Sequence, residues 1–213
     1  MTNHLCSWLV ALLVGLLPRA ALAQGPGLSE RSVEAALLHR RINLSGLQKW
    51  NRASRSWQPL PLPRSKLLVL NLWSYSCLPC KLEFPLFRNM VAGMRGRPEV
   101  QFLFVADPPD ETSAEQVEKF WSAPYVELRP GGLCPVGKGT GTSARPRCQL
   151  EVPDVDPART RDQHQLQSIA EVTMRPLTLL VDKSGLVRHV FAGSVAARTT
   201  EVRQAMERLL AAL

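Results

Sequence analysis

The stretch Leu67-Leu68-Val69-Leu70-Asn71-Leu72-Trp73-Ser74-Tyr75-Ser76-Cys77-Leu78-Pro79-Cys80 decides the fold of this chain. An apolar run of strand length leads through a short polar turn into two cysteines separated by two residues. Buried strand, tight turn and cysteine pair opening a helix is the order that dithiol–disulfide chemistry requires. The strand anchors the loop, and the helix N-terminus supplies partial positive charge that favours a thiolate on the first sulfur. A Cys-x-x-Cys inside a βαβ pattern reads as a redox motif.

Downstream, Lys81 to Met94 reads as a helix with Leu82, Leu86, Met90 and Met94 at intervals of four, and Pro85 is expected to bend it. Val100 to Val105 reads as a second buried strand, ended by Asp107-Pro108-Pro109-Asp110, and Ser113 to Trp121 as a short helix. Leu177 to Val181 and Leu186 to Phe191 read as two strands around the turn Asp182-Lys183-Ser184-Gly185. Thr199 to Leu213 is an amphipathic helix with Val202, Met206, Leu209, Leu210 and Leu213 on one side.

Upstream, Ser29 to Arg41 predicts a short helix capped by Ser29, with Val33, Ala36, Leu37 and Leu38 as its apolar residues. Leu44 to Leu60 reads as a hairpin carrying Trp50 and Trp57, and Pro59, Pro61 and Pro63 stiffen the connection to the first central strand. Residues 129 to 166 hold glycines and prolines with almost no apolar periodicity and read as an insertion of loops. The order β-α-β-α, β-hairpin, helix is that of a thioredoxin fold. The expectation is therefore an α/β protein with a central mixed sheet flanked by helices, an N-terminal hairpin extension and a disulfide-closed loop insertion.

The chain has 213 residues, 45% of them apolar, which suits one domain with added segments. Its formal charge of +8 comes from 26 basic and 18 acidic residues that are scattered along the sequence. A nucleic-acid role wants a clustered basic patch, and none is visible; acidic partners are merely favoured. Residues 1–23 resemble a signal peptide, with an apolar core from Leu9 to Leu17 and a small-residue cleavage site at Ala21-Leu22-Ala23. Pro18-Arg19 ends that core too early for a membrane span, so no span is expected in the mature chain. Residues 24–41 then form an N-terminal extension and 42–213 a thioredoxin-like domain. The reading is an exported protein, periplasmic or extracellular and monomeric. Of five cysteines, Cys6 leaves with the signal, and Cys77, Cys80, Cys134 and Cys148 remain as an even set suited to two disulfides.

Within the motif, Cys77 is the expected nucleophile, partly exposed, and Cys80 the shielded resolving cysteine. Pro79 fits the first helical turn, where no N–H is needed. A structural disulfide or half of a zinc site is the other reading of such a pair, but zinc wants a second close pair of ligands. Glu83, three residues after Cys80, shares its helical face. A carboxylate there either tunes the dithiol and relays a proton or is an ordinary solvated glutamate. Pro176 heads the strand Leu177 to Val181; as a cis-proline beside Cys77 it would let the backbone of Arg175 pair with an extended substrate. Cys134 and Cys148 flank Pro135 to Arg147 and read as a structural disulfide contributing about 3 kcal/mol in the chain-entropy model. His39, His164 and His189 form no metal spacing and read as surface or loop residues.

The stretch Asn71 to Pro85, with Cys77-Leu78-Pro79-Cys80 at its centre, resembles the active-site segment of the TlpA/ResA-like thioredoxin family of exported thiol–disulfide oxidoreductases. Val172 to Gly185 resembles that family's cis-proline loop, strand and turn. The likeness covers about residues 42 to 213, interrupted by 129–166. It implies a periplasmic or membrane-facing disulfide reductase, often serving cytochrome c maturation, in which Glu83 tunes the dithiol. Two positions depart from the family: Ser76 stands where Trp is common, and Arg175 replaces a small or β-branched residue. The implied partners are protein thiols and disulfides and an upstream electron donor; no cofactor and no metal are called for, because the electrons reside in the sulfurs. Two rivals remain. A peroxiredoxin-like peroxidase would use Cys77 and Ser74, although position 70 is Leu where such enzymes carry proline. A non-enzymatic thioredoxin-fold adaptor would use the dithiol as a soft-metal clamp.

Overall fold

In the computed structural model, the described residues are 29–61, 65–106, 118, 120–121, 125–127, 147–149, 158–159 and 174–213. The apolar run Leu67–Trp73 forms strand β3, buried along its whole length. A strand with no polar alternation must be covered on both faces, and it lies inside a seven-stranded sheet, third from one edge. The other elements are helix α1 (Glu30–Leu37), β1 (Gln48–Asn51), β2 (Ser56–Pro59), α2 (Leu78–Gly93), β4 (Val100–Ala106), β5 (Tyr125–Glu127), β6 (Arg147–Gln149), β7 (Ala158–Arg159), β8 (Leu177–Asp182), β9 (Val187–Ala192) and helix α3 (Thr199–Ala212). The sheet order is β2-β1-β7-β4-β3-β8-β9, with β5 and β6 paired separately.

Strands β3 and β4 run parallel, joined by α2, while β8 is antiparallel to β3 and to β9. This mixed pattern is the α/β arrangement expected from the order of elements. Residues at alternate positions divide the core in two. Leu68, Leu70 and Leu72 face one side with Leu103, Leu177 and Leu179, covered by Val33 and Leu37 of α1. Leu67, Val69 and Trp73 face the other, against Phe84 and Phe87 of α2 and Val202 and Met206 of α3.

Four expectations are corrected here. In α2 the buried face is Cys80, Glu83, Phe84, Pro85 and Phe87, whereas Leu82, Leu86 and Met90 are only half-buried. The aromatic residues fill the space over β3 and β4, so the leucine–methionine stripe lies at the margin. In α1 only Val33 and Leu37 are buried, and Ala36 and Leu38 face solvent. Most consequentially, the segment read as loops contributes Ala158–Arg159 to the central sheet between β1 and β4. Ala158 is fully buried, and through this two-residue strand the Trp50/Trp57 hairpin joins the main sheet. His189, expected on the surface, is a half-buried residue of β9 with its ring 4.5 Å from that of Phe191.

The expected hairpin is present, with Trp50 paired to Trp57 across it and their rings 5.4 Å apart edge to face. The β8–β9 turn is held by Asp182, which accepts from Ser184 N–H at 2.8 Å, Ser184 Oγ at 2.6 Å and Leu186 N–H at 3.1 Å. Gly185 has φ of +80°, a left-handed conformation that suits glycine. Residues 1–23, read as a signal peptide, Cys134, His164 and most of the helix read at 113–121 lie outside the described residues; Glu118, Phe120 and Trp121 are helical. Cys148 is on β6, and the expected pairing of Cys134 with Cys148 involves Cys134 and so falls outside the described residues. No helix among the described residues is long and apolar enough to cross a membrane.

Candidate active site

Strand β3 ends at Trp73, and the turn Ser74–Ser76 delivers Cys77 to the N-cap of α2. The cap is made by sulfur: Cys77 Sγ accepts from the Cys80 backbone N–H at 3.2 Å. A Cys77 N–H bond to the Ser74 carbonyl at 3.2 Å and a Lys81 N–H bond to the Cys77 carbonyl at 3.3 Å fix the turn on either side. Pro79 occupies the first turn, where the absent N–H costs nothing. Cys77 and Cys80 form a disulfide with their Cα atoms 5.4 Å apart. Cys77 is half-buried and Cys80 is 1% exposed, as a nucleophile and its resolving partner require. Exposed Ser76, Leu78 and Pro79 surround Cys77 on the surface.

Glu83 lies one turn beyond Cys80 on the same face of α2 and is fully buried. It is not the solvated glutamate of the alternative reading. One carboxyl oxygen, Oε1, accepts the Val195 backbone N–H from the loop between β9 and α3. The other, Oε2, is buried with no hydrogen-bond partner. Burial pushes the Glu83 carboxyl up to about 7; the Val195 N–H, Ser194, the Arg198 charge and Asn71 oppose that rise without cancelling it. A buried carboxyl poised near neutrality can take and return a proton at physiological pH.

Two further buried polar residues stand on the same face of the sheet. Asn71 Nδ2 donates to Thr178 Oγ1 at 3.0 Å, across the register that pairs β3 with β8. Neither was singled out from sequence, yet each is a polar residue inside an otherwise apolar strand, which was the available signal. On the flank, Trp73 is fully buried with ring centroids 4.7 Å from Tyr75, 5.1 Å from Phe84 and 5.5 Å from Phe120. Burial in this aromatic wall drives the Tyr75 phenol well above its ordinary range, so it stays neutral. The wall lowers the local dielectric beside the dithiol and strengthens the electrostatic effects there.

The Arg175–Pro176 peptide bond is cis, and Pro176 is buried. Leu177 pairs with Leu72, so Arg175 and Pro176 lie at the end of the sheet from which β3 runs into the cysteine turn. Arg175 is half-buried and its Nη1 donates to the Met174 carbonyl at 2.9 Å. The structure thus gathers Cys77, Cys80 and Glu83 into one centre, with Arg175 and Pro176 at the same end of the sheet.

No protein-family model matches the sequence, and no curated protein matches it. Solved structures do. One, assigned as the thiol:disulfide interchange protein DsbE of Chlorobium tepidum, is similar over 81% of this chain and 99% of its own, at 16% identity and a TM-score of 0.54. A thiol-disulfide isomerase of Corynebacterium glutamicum is similar over 80% and 96%, at 15% identity and a TM-score of 0.51. StoA of Bacillus subtilis is similar over 77% and 98%, at 13% identity and a TM-score of 0.50. At these identities the likeness is one of architecture. With its mixed sheet, its flanking helices and its cysteine pair at the N-terminus of α2, this chain has a thioredoxin-like fold.

Proposed function

We propose that this protein is an exported thiol–disulfide oxidoreductase that acts as a reductase of protein disulfides. The observation that carries the reading is the layering at the start of α2: half-buried Cys77 capping the helix, buried Cys80 behind it and buried Glu83 beneath. In the reduced protein, helix N–H groups and the positive end of the helix stabilise a Cys77 thiolate. That thiolate attacks one sulfur of a partner disulfide, and the other partner sulfur leaves as a thiolate. Cys80 gives its proton to Glu83 and attacks Cys77 Sγ, closing the Cys77–Cys80 bond. The second partner thiolate leaves and takes the proton. Two electrons have passed to the partner, and a thiol donor upstream restores the dithiol.

Arg175 and Pro176 hold the substrate strand in this account, since they flank the end of β3 from which the cysteines emerge. Cys134 and Cys148 form a structural disulfide in the same account, and the protein works as a periplasmic or extracellular monomer after loss of residues 1–23. The architectural likeness to DsbE and StoA supports the activity.

The test is the reduction potential of the 77–80 pair, by equilibration with thiol–disulfide buffers while the 134–148 pair is left intact. A value near about −270 mV marks a reductant and one near about −120 mV an oxidant. A pair that resists reduction far below both is a structural staple, and the reading fails.

A further inference from the structure

The loop between β9 and α3 brings Val195 onto Glu83, and one side chain closes that loop. Arg198 Nη2 donates to the Ala192 carbonyl at 2.6 Å, tying the residue before the loop to the residue that ends it. Its backbone N–H donates to the Val195 carbonyl at 2.8 Å, and its carbonyl accepts the Val202 N–H at 3.0 Å, which starts α3. The guanidinium stands over the Phe191 ring, 5.5 Å from its centroid, and its Nη1 lies 3.5 Å from Glu34 Oε1 on α1. Glu34 Oε1 also accepts the Ala192 N–H at 3.5 Å. Val195 is fully buried, so the position of its N–H depends on how the two ends of the loop are held.

We propose that Arg198 is a positioning residue for the centre: it holds the 193–198 loop, and with it the Val195 N–H, against Glu83, and so governs when that carboxyl carries a proton. This rests on the reading of Glu83 as the proton relay. A planar fork can serve Ala192 and Glu34 at once, which a single amine cannot do as well. Its positive charge also favours ionised Glu83, in the same direction as the Val195 bond. Around this network stand Cys80 on α2, Asn71 on β3, Ser194 in the loop, His189 on β9, Glu34 on α1 and Glu201 and Arg208 on α3. Burial holds the His189 imidazole below its ordinary value.

The experiment follows the Glu83 carboxyl by carbon NMR in the oxidised full chain, where Cys77 and Cys80 do not titrate. Arg198→Gln is expected to raise the midpoint by roughly 0.5 pH unit or more and to speed hydrogen exchange at the Val195 amide. Arg198→Lys, which keeps the charge and one donor, is expected to shift it less; should Arg198→Gln not fold, this variant alone decides. A midpoint unchanged in the folded variants overturns the assignment. The acid limb of insulin-disulfide reduction should move with the NMR midpoint. If the midpoint moves while parent and variants all fail to reduce insulin, the oxidoreductase reading falls and the role of Arg198 stands.

Discussion

The backbone N–H of Val195 donates to Oε1 of Glu83 although 112 positions separate them, and both residues are fully buried. This bond joins the helix that carries the dithiol to the loop preceding the last helix. It gives the carboxyl a single backbone partner and leaves Oε2 unpaired. The Val195 bond, even with Ser194, Asn71 and the Arg198 charge acting in the same direction, does not offset the loss of water, which is why burial wins and the group titrates near neutrality.

A pH dependence of stability follows from that balance. The Glu83 carboxyl moves from its ordinary 4.5 up to about 7 on folding. Between those values the folded chain keeps a proton that the unfolded chain has lost, so stability falls as pH rises through the window and is level above it. The full effect is on the order of 3 kcal/mol. Urea unfolding of the oxidised protein from pH 4.5 to 8 should show this decline, and Glu83→Gln should remove it and be the more stable protein at pH 8. Parallel curves for the two proteins count against a buried, raised carboxyl.

The same substitution should slow the chemistry. Without a base for the Cys80 proton, release of the second partner thiolate at pH 7 is expected to drop about 10²-fold. Attack by Cys77 should be little changed. Rapid-quench separation of the two steps measures this, and equal slowing of both contradicts the relay role.

Asn71 and Thr178 test the polar layer beneath the centre. Thr178→Val keeps the shape but leaves the Asn71 amide without its acceptor, at a cost of about 1–3 kcal/mol. Asn71→Leu combined with Thr178→Val removes both partners and should be less destabilising than the two single changes added together. Additive costs in the double-mutant cycle would show that the bond contributes nothing.

Asp182 gives the opposite pH signature. Burial works against its charge, but bonds from Ser184, Arg188 and Leu186 outweigh it and hold the carboxyl down at about 2. Its stabilisation is complete above its ordinary 3.8 and is lost as pH falls through 2, amounting to about 2 kcal/mol. Asp182→Asn should flatten acid unfolding across that range.

What was legible in the sequence was local. The strand, turn and helix around Cys77 and Cys80 rest on neighbouring residues, and so do the Trp50/Trp57 hairpin and the Asp182–Gly185 turn. Glu83 could be placed on the face of Cys80 by spacing, but its burial depends on Val195, which spacing does not reveal. The stripe of Leu82, Leu86 and Met90 misled because Phe84 and Phe87 are larger and take the space over β4. Ala158–Arg159 escaped notice for a different reason. Two residues carry no periodicity, and they become a strand only through pairing with Lys49 and Gln48 on one side and Val105 and Ala106 on the other. Asn71 was visible as a polar break in an apolar run, and its partner lies 107 positions away.

The most direct test of the central claim is to trap the covalent intermediate on Cys80→Ser. Reduced Cys80→Ser protein is mixed with a peptide disulfide, quenched in acid and mapped by mass spectrometry. The account predicts a single mixed disulfide at Cys77 that persists because no resolving thiol is present. Absence of an adduct at Cys77, with the peptide disulfide left intact, would contradict it.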